Sequence, residues 1–280
     1  MTTRLAEPID QTGLDAREAL CRDMALSAGK IAVAGYTRRD GAQIGMKGPQ
    51  DFLTETDGAV EQHLKARIAA AFPNDAFLGE ETGGVIGTDI WVVDPIDGTA
   101  NFARQIPHYC ISIAFVSNGR VELGAIYNPS INEFYFARRG RGAEKDGQPI
   151  RVADTTDCNA ACVELGWSNR VPMKHYLAAL TELLERGANV RRGASGALGL
   201  AYVAEGRSDA YAELHMHPWD CLAGLLLVEE AGGVVGPFLD RDGLASGGSV
   251  LAAAPGIGGL MSRATGIEIA APAKALAEAV

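Results

Sequence analysis

An α+β first half joined to an α/β second half is the fold the sequence predicts, on three observations. Runs of alternating apolar residues at 110–116, 121–127 and 133–137 follow one another, separated by Asn118-Gly119 and by Asn128-Pro129-Ser130. Asn-Gly between two such runs is the strongest short hairpin signal, so the three read as an antiparallel meander. From about residue 160 the rhythm changes: strand-like segments at 163–165, 210–212 and 234–235 alternate with helical patterns at 176–185, 197–205 and 219–231. That alternation predicts some parallel pairing. Third, neither an internal repeat nor a low-complexity linker separates the halves. Two closely packed domains are expected, residues 1–153 and 154–280.

Before the meander, Leu20, Met24, Ala28 and Ile31 are spaced for one face of a long helix over 14–39, ending near Arg38 and Arg39. MKGPQDFLTETD at 46–57 reads as a Gly/Pro-containing loop, and Val60, Leu64 and Ile68 mark the buried face of a helix that Pro73 stops. Asp57 then falls at or near that helix's N-terminus, where a plain cap is a sufficient explanation. Phe77 and Leu78 form a short strand into GEET at 79–82, where Glu80 or Glu81 offers a carboxylate at a strand end. Arg138 to Arg141, rich in glycine, reads as an exposed turn, and Asp146-Gly147 begins another. GIGGL at 256–260 lacks the Lys-Ser/Thr of a Walker loop and reads as a loop into the last helix.

With 280 residues, 47% hydrophobic and 21% charged, the chain has material for substantial cores. Its apolar runs, such as 225–228, fall far short of the ~18 residues of a membrane span, and residues 1–20 lack a signal peptide's apolar region. A cytoplasmic protein without membrane contact is expected. The five scattered cysteines contain no CxxC pair, which argues against a disulfide framework or a thiolate zinc site and for reduced, mostly buried thiols. A formal charge of −10 disfavours non-specific binding to nucleic acid. It leaves phosphorylated substrates open, because acidic side chains gathered on metal ions reverse the local field.

The stretch WVVDPIDGTANF at 91–102 organises the rest. Trp91, Val92 and Val93 read as a buried strand, Pro95 cannot continue its ladder, and Gly98 permits the tight backbone that starts a new element. Asp94 and Asp97 thus stand at a strand end, and a short helix from Thr99 would turn its free N–H groups toward whatever they hold. A hard cation beside a phosphate fits that description. Ordinary turn and capping chemistry fits it equally well from these residues alone. An EF-hand loop beginning at Asp94 does not, since its twelfth position is Gln105 and its glycine falls one place early. Asp220 in HPWDCLAG likewise sits in a helix's first turn, where capping would place it anyway. His215 and His217 form an HxH without a third histidine in suitable context.

Together, GEE at 79–81, DPIDGTANF at 94–102 and WDCLAGLLLVEEAGG at 219–233 resemble, in order and spacing, the signatures of the inositol monophosphatase family of magnesium-dependent, lithium-sensitive phosphatases. The resemblance extends to KGPQDFLTETD at 47–57 and ALGLAYVAEGRSDAYAE at 197–213, and so covers about residues 14 to 254. It implies a layered αβαβα sandwich, with an antiparallel sheet in the first domain and a smaller mixed sheet in the second. It implies two or three Mg2+ ions held by Glu80, Asp94, the backbone carbonyl of Ile96, Asp97 and Asp220, with Asp57 holding the third, weaker ion through water. Thr99 falls where the family hydrogen-bonds the nucleophilic water, so Glu80, Thr99 and Asp57 are the implied catalytic residues. Asp97, Gly98, Thr99, Gly196 and Glu213 fall on the substrate side, and Lys47 in a basic loop near the metals. The implied partner is a small phosphomonoester, with inositol 1-phosphate as the family default and histidinol phosphate or a 3′-phosphonucleotide as alternatives. A homodimer is expected on the same ground. A regulatory binding protein that keeps the fold is the rival from another class.

Two departures stand out. The segment Ala194, Ser195, Gly196, Ala197, Leu198, Gly199 differs from many relatives, which alters the substrate-side wall. Trp167 stands where some relatives carry a small hydroxyl residue, which narrows the pocket or offers it a stacking face.

Overall fold

The computed structural model describes residues 10–38, 44–48 and 51–269. Helix α1 (Gln11–Tyr36) starts at Asp10, whose carboxylate accepts from the amides of Thr12 and Gly13. Strands β1 (Ile44–Gly48) and β2 (Asp51–Thr54) pair antiparallel. The 46–57 segment is therefore not a loop: 46–48 and 51–54 are paired strand, and 55–57 already belong to the next helix. The side chain of Lys47 lies outside the described residues. Helix α2 (Glu55–Ala71) follows directly, opened by a capping box in which Thr54 and Asp57 satisfy each other.

The larger sheet has the order β10-β9-β8-β7-β6-β5-β3-β4. Its strands are β3 (Ala76–Gly79), β4 (Gly83–Gly84), β5 (Asp89–Asp97), β6 (Cys110–Ser117), β7 (Arg120–Asn128), β8 (Glu133–Arg138), β9 (Ala143–Lys145) and β10 (Gln148–Pro149), with the short helix α3 (Thr99–Ala103) after β5. All neighbours are antiparallel except β3 and β5, which run parallel. The predicted hairpin turns hold: Asn118 and Gly119 both take positive φ, 51° and 74°, the backbone that an Asn-Gly turn supplies. Arg138 is not part of an exposed turn. It ends β8 almost completely buried, and its guanidinium donates to Glu18 Oε2 and Gln11 Oε1, each at 2.9 Å, and to Asp15.

β5 also runs further than Pro95 suggested. Asp94 pairs with Ser112 and Asp97 with Cys110, so three steps on one strand oppose two on the other. The extra residue makes a bulge at Pro95-Ile96. A proline without an N–H is tolerated there, and the bulge turns both aspartates to the same strand end.

The smaller sheet has the order β12-β11-β13-β15-β14. It is built from β11 (Cys162–Leu165), helix α4 (Met173–Glu185), β12 (Asn189–Arg191), helix α5 (Gly196–Ala204), β13 (Ala210–Met216), helix α6 (Pro218–Glu230), β14 (Val234–Val235), the four-residue helix α7 (Gly243–Ser246), β15 (Gly248–Ala253) and helix α8 (Pro255–Thr265). β11 is parallel to β12 and β13, while β15 is antiparallel to β13 and β14, a mixed sheet. β12 and β15 carry little alternation in sequence, so periodicity does not mark them. GIGGL lies inside α8 rather than before it, because Pro255 and the carbonyl of Ala254 start the helix first.

Period-two alternation stacks these pieces into five layers. Trp91 and Val93 of β5 pack with α1 and α2, and Ile90 and Val92 pack on the other face with α5 and α6. The same two helices cover the inner face of the smaller sheet through Tyr211, Val250 and Ala252, whose outer face packs Val163, Leu251 and Ala253 against α4 and α8. The protein is a layered αβαβα sandwich. All five cysteines are free; four are buried and Cys162 is half-buried. Among the described residues no helix is long and apolar enough to cross a membrane.

Gly124 sets how closely α6 approaches the larger sheet. A Cβ at this position would lie 2.7 Å from the carbonyl oxygen of Ala223 and 3.0 Å from its Cα, so backbone would have to move. Gly124→Ala is expected to destabilise the protein by about 1–3 kcal/mol, the usual cost of over-packing a core. Urea unfolding measures this; unchanged stability would mean that the middle layer is not held by this contact.

Candidate metal centre

The parallel pair brings the first two carboxylates together. Gly79 of β3 is in register with Val93 of β5, so Glu80 and Asp94, the next residues on each strand, emerge side by side at the same sheet edge. The amide of Glu80 donates to the carbonyl of Val93 at 3.2 Å, which fixes the turn there. Asp94 is 2% exposed, and one of its oxygens, Oδ1, accepts from the Ile96 amide at 2.9 Å across the bulge.

The middle layer supplies the rest. α5 points its N-terminus at Asp97, whose Oδ2 accepts from Ala197 N at 2.8 Å and from the Ser195 hydroxyl, while Oδ1 accepts from Gly196 N at 3.3 Å. Asp220 lies in the first turn of α6, held by the His217 amide at 3.0 Å. Oxygens of Asp94, Asp97 and Asp220 lie within 4.8 Å of one another.

Bringing these acids together without a cation is electrostatically unfavourable. Burial, then repulsion from Glu80, Asp97 and Asp220, holds the Asp94 carboxyl well above the usual carboxylate range. Asp220 is raised by burial and by Asp97 and Glu80, against which the His217 amide works. Asp97 is raised by burial, offset by the Ser195 hydroxyl and the α5 amides. A buried acidic cluster is relieved either by protons or by a cation. The donors are all oxygen, which suits a hard divalent ion rather than zinc or copper.

The other expected residues surround this centre. Asp57, completely buried on α2, holds the Thr54 amide at 2.9 Å, and Thr99 Oγ1 reaches its Oδ1 at 3.4 Å and the Ile96 carbonyl at 2.9 Å. Burial raises Asp57 to about 6, with the Thr54 hydroxyl and amide opposing. The Ile96 carbonyl is thus engaged by Thr99. Gly98 takes a φ of 91°, and a Cβ there would meet the His108 carbonyl at 3.0 Å and Ser195 Cβ at 3.2 Å. Glu213, at the far wall on β13, accepts from the Tyr211 hydroxyl at 2.6 Å. It is raised to about 7 by burial and by Asp97, while Tyr211, Arg192 and Arg170 pull it down. His217 stacks on Trp219 with ring centroids 4.6 Å apart, and His215 lies edge-on to His217 at 5.6 Å. Neither belongs to the cluster of convergent ligand atoms.

Sequence reading missed Ser195 as an Asp97 partner and Glu61 on α2, whose carboxylate grips the turn after Glu80. Glu61 lies four residues after Asp57, among Val60, Leu64 and Ile68. An acid in that buried stripe was the available signal.

The family model of the inositol monophosphatase family matches residues 15–276, and the chain belongs to that family. Nus factor SuhB of Escherichia coli strain K12 is 36% identical over 236 residues, which cover 82% of this chain and 88% of that protein. The structure of the extragenic suppressor protein suhB from Bartonella henselae superposes with a TM-score of 0.83 at 31% identity, covering 89% of this chain and 98% of the other. That of inositol monophosphatase from Anabaena (Nostoc) sp. PCC 7120 gives 0.78 at 32% identity, covering 94% and 99%.

A carboxyl whose folded pKa is raised contributes stability below its unfolded value and loses it as pH rises through the folded value. With chelator present, Asp94→Asn should therefore come nearest to wild type below about pH 4, where the carboxyl is protonated in both states, and exceed it in melting temperature by a growing margin as the pH rises toward about 8. Added magnesium should reverse the order at the higher pH. A variant less stable than wild type under both conditions would show that Asp94 is a structural acid.

Proposed function

We propose that this protein is a magnesium-dependent phosphomonoesterase acting on a small polyol or sugar phosphate, with inositol 1-phosphate first among the candidates. The observation that carries the reading is the convergence of Asp94, Asp97 and Asp220, beside Glu80, at the edge where the larger sheet meets the middle helices. Residues 1–153 would supply most of the metal ligands, and residues 154–280 would add Asp220 and the substrate wall. The likeness to inositol monophosphatase structures supports the substrate class.

Glu80, Asp94, Asp97, Asp220 and the Ile96 carbonyl would hold two or three magnesium ions. Bound there, magnesium supplies positive charge that favours deprotonation of the attacking water and offsets charge on the departing oxygen. The chain does the positioning. Thr99 Oγ1, fixed between the Ile96 carbonyl and Asp57, accepts a hydrogen bond from the water and aims it at phosphorus. Asp57, at about 6, is ionised at neutral pH and serves as the acceptor behind Thr99. Amides of Gly98 and Thr99 hold phosphate oxygens, so no covalent enzyme intermediate is needed. Gly196 helps indirectly, since its amide donates to Asp97. Glu213 faces the leaving group and binds its hydroxyls or amine. Lithium sensitivity, a homodimer and a cytoplasmic location belong to the same family-based reading.

The name Nus factor carried by SuhB relatives favours a second reading, a regulatory binding protein that retains the fold. Phosphate release from inositol 1-phosphate, histidinol phosphate, a 3′-phosphonucleotide and an aryl phosphate, with and without magnesium, separates the two. Magnesium-dependent release from at least one is expected, and none from any would favour the binding protein. Asp94→Asn should abolish release.

Glu213→Gln should weaken use of a polyol phosphate while sparing the aryl phosphate, because only the former offers groups to the carboxylate. Loss of one charge-assisted hydrogen bond costs roughly 1.5–3 kcal/mol, about ten- to a hundredfold in kcat/KM. An equal loss on both substrates would place Glu213 in support of the metal centre instead.

A further inference from the structure

Glu61 is a carboxylate that the reaction as described does not use, and it is completely buried. Its two oxygens accept from two successive backbone amides: Oε2 from Glu81 N and Oε1 from Thr82 N, each at 2.8 Å. Those amides belong to the two residues that follow Glu80. The neighbouring backbone is shaped to admit the carboxylate, since a Cβ on Gly79 would lie 2.3 Å from Glu61 Oε2 and 2.5 Å from its Cδ. Glycine at 79 therefore leaves the space that the acid occupies.

Glu61 stands four residues after Asp57 on α2, one helical turn along the same face. Asp57 reaches Thr54 and Thr99, and Glu61 reaches the turn after β3. One rigid helix thus touches both strand ends that carry the centre, the β3 end through Glu61 and the β5 end through Asp57 and Thr99. On the other side of the same turn, the Glu80 amide is tied to the Val93 carbonyl at 3.2 Å. The turn is gripped from both flanks.

We propose that Glu61 is a positioning residue for the metal centre, its bidentate hold on the Glu81 and Thr82 amides fixing the turn so that Glu80 presents its carboxylate beside Asp94. This rests on the reading of Glu80 as a magnesium ligand. Glu61 touches neither substrate nor ion and acts through the backbone. Groups that orient a ligand typically cost about 10- to 100-fold in metal affinity when replaced.

Magnesium titration of the metal-free protein by calorimetry tests this without any substrate. Glu61→Gln keeps the shape but turns one acceptor into a donor facing an amide N–H, so magnesium affinity should fall about tenfold or more. Glu61→Gln combined with Glu80→Gln should bind no more weakly than Glu80→Gln alone, since one acts through the other. At saturating magnesium the KM for a phosphomonoester should stay unchanged. If Glu61→Gln fails to fold, Gly79→Ala, which pushes the carboxylate from its place, should weaken magnesium in the same way. Wild-type affinity in the folded variant, or additive losses in the double variant, would overturn the assignment. Absence of magnesium binding by the wild-type protein would instead remove the metal-ligand reading, and the role of Glu61 with it.

Discussion

The structure depends on gathering three aspartates, Asp94 and Asp97 buried and Asp220 half-buried, at the junction of two layers, an arrangement that repulsion opposes. Asp94 and Asp97 reach that junction only because a bulge at Pro95-Ile96 turns the end of β5, and Asp220 only because α6 begins there. Much of the surrounding architecture makes the crowding tolerable. α5 spends two N-terminal amides and the Ser195 hydroxyl on Asp97, and the His217 amide holds Asp220. These bonds stabilise the ionised forms, yet burial, joined at Asp94 and Asp220 by repulsion from neighbouring acids, still leaves all three aspartates raised. A divalent cation is the remaining partner the geometry calls for.

The two halves of the chain are joined by this same chemistry. Asp97 comes from the larger sheet, but its hydrogen-bond donors come from Ser195, Gly196 and Ala197. Asn101 of α3 adds bonds to the carbonyls of Gly193 at 2.9 Å and of His108 at 2.8 Å. α5 and α6 fill the layer between the sheets, and Gly224 lets them approach, since a Cβ there would lie 2.4 Å from Leu200 Cβ. Helix packing and charge placement are therefore one problem. A shift of α6 would move Asp220 away from Asp94.

Much of this was legible in the sequence, for reasons that particular residues show. Asn118-Gly119 marks its hairpin because few residues take positive φ at both positions. The nearly continuous apolar run at 110–116 reports a strand buried on both faces, and the 3.6-residue spacing of Val60, Leu64 and Ile68 reports one buried helix face. The β1–β2 pair is hidden in the sequence because its strands, five and four residues long, are too short for their periodicity to outweigh nearby Gly and Pro. Arg138 looked exposed because its partners, Gln11, Asp15 and Glu18, lie more than a hundred residues away in α1, a distance that local patterning does not span. Pro95 suggests a stop because the bulge that accommodates it depends on a partner strand the local sequence does not show. The convergence of Asp94, Asp97 and Asp220 was reached through family resemblance, and only the fold shows why they meet.

Acids crowded in this way hold protons that a divalent cation displaces on binding. Calorimetric titration of magnesium into the metal-free protein, repeated at one pH near neutrality in buffers of different ionisation enthalpy, counts the protons released per ion bound. Net proton release is expected, and it should diminish as the pH is raised and the acids ionise unaided. Binding without proton release at any pH, or no binding heat at all, would contradict it.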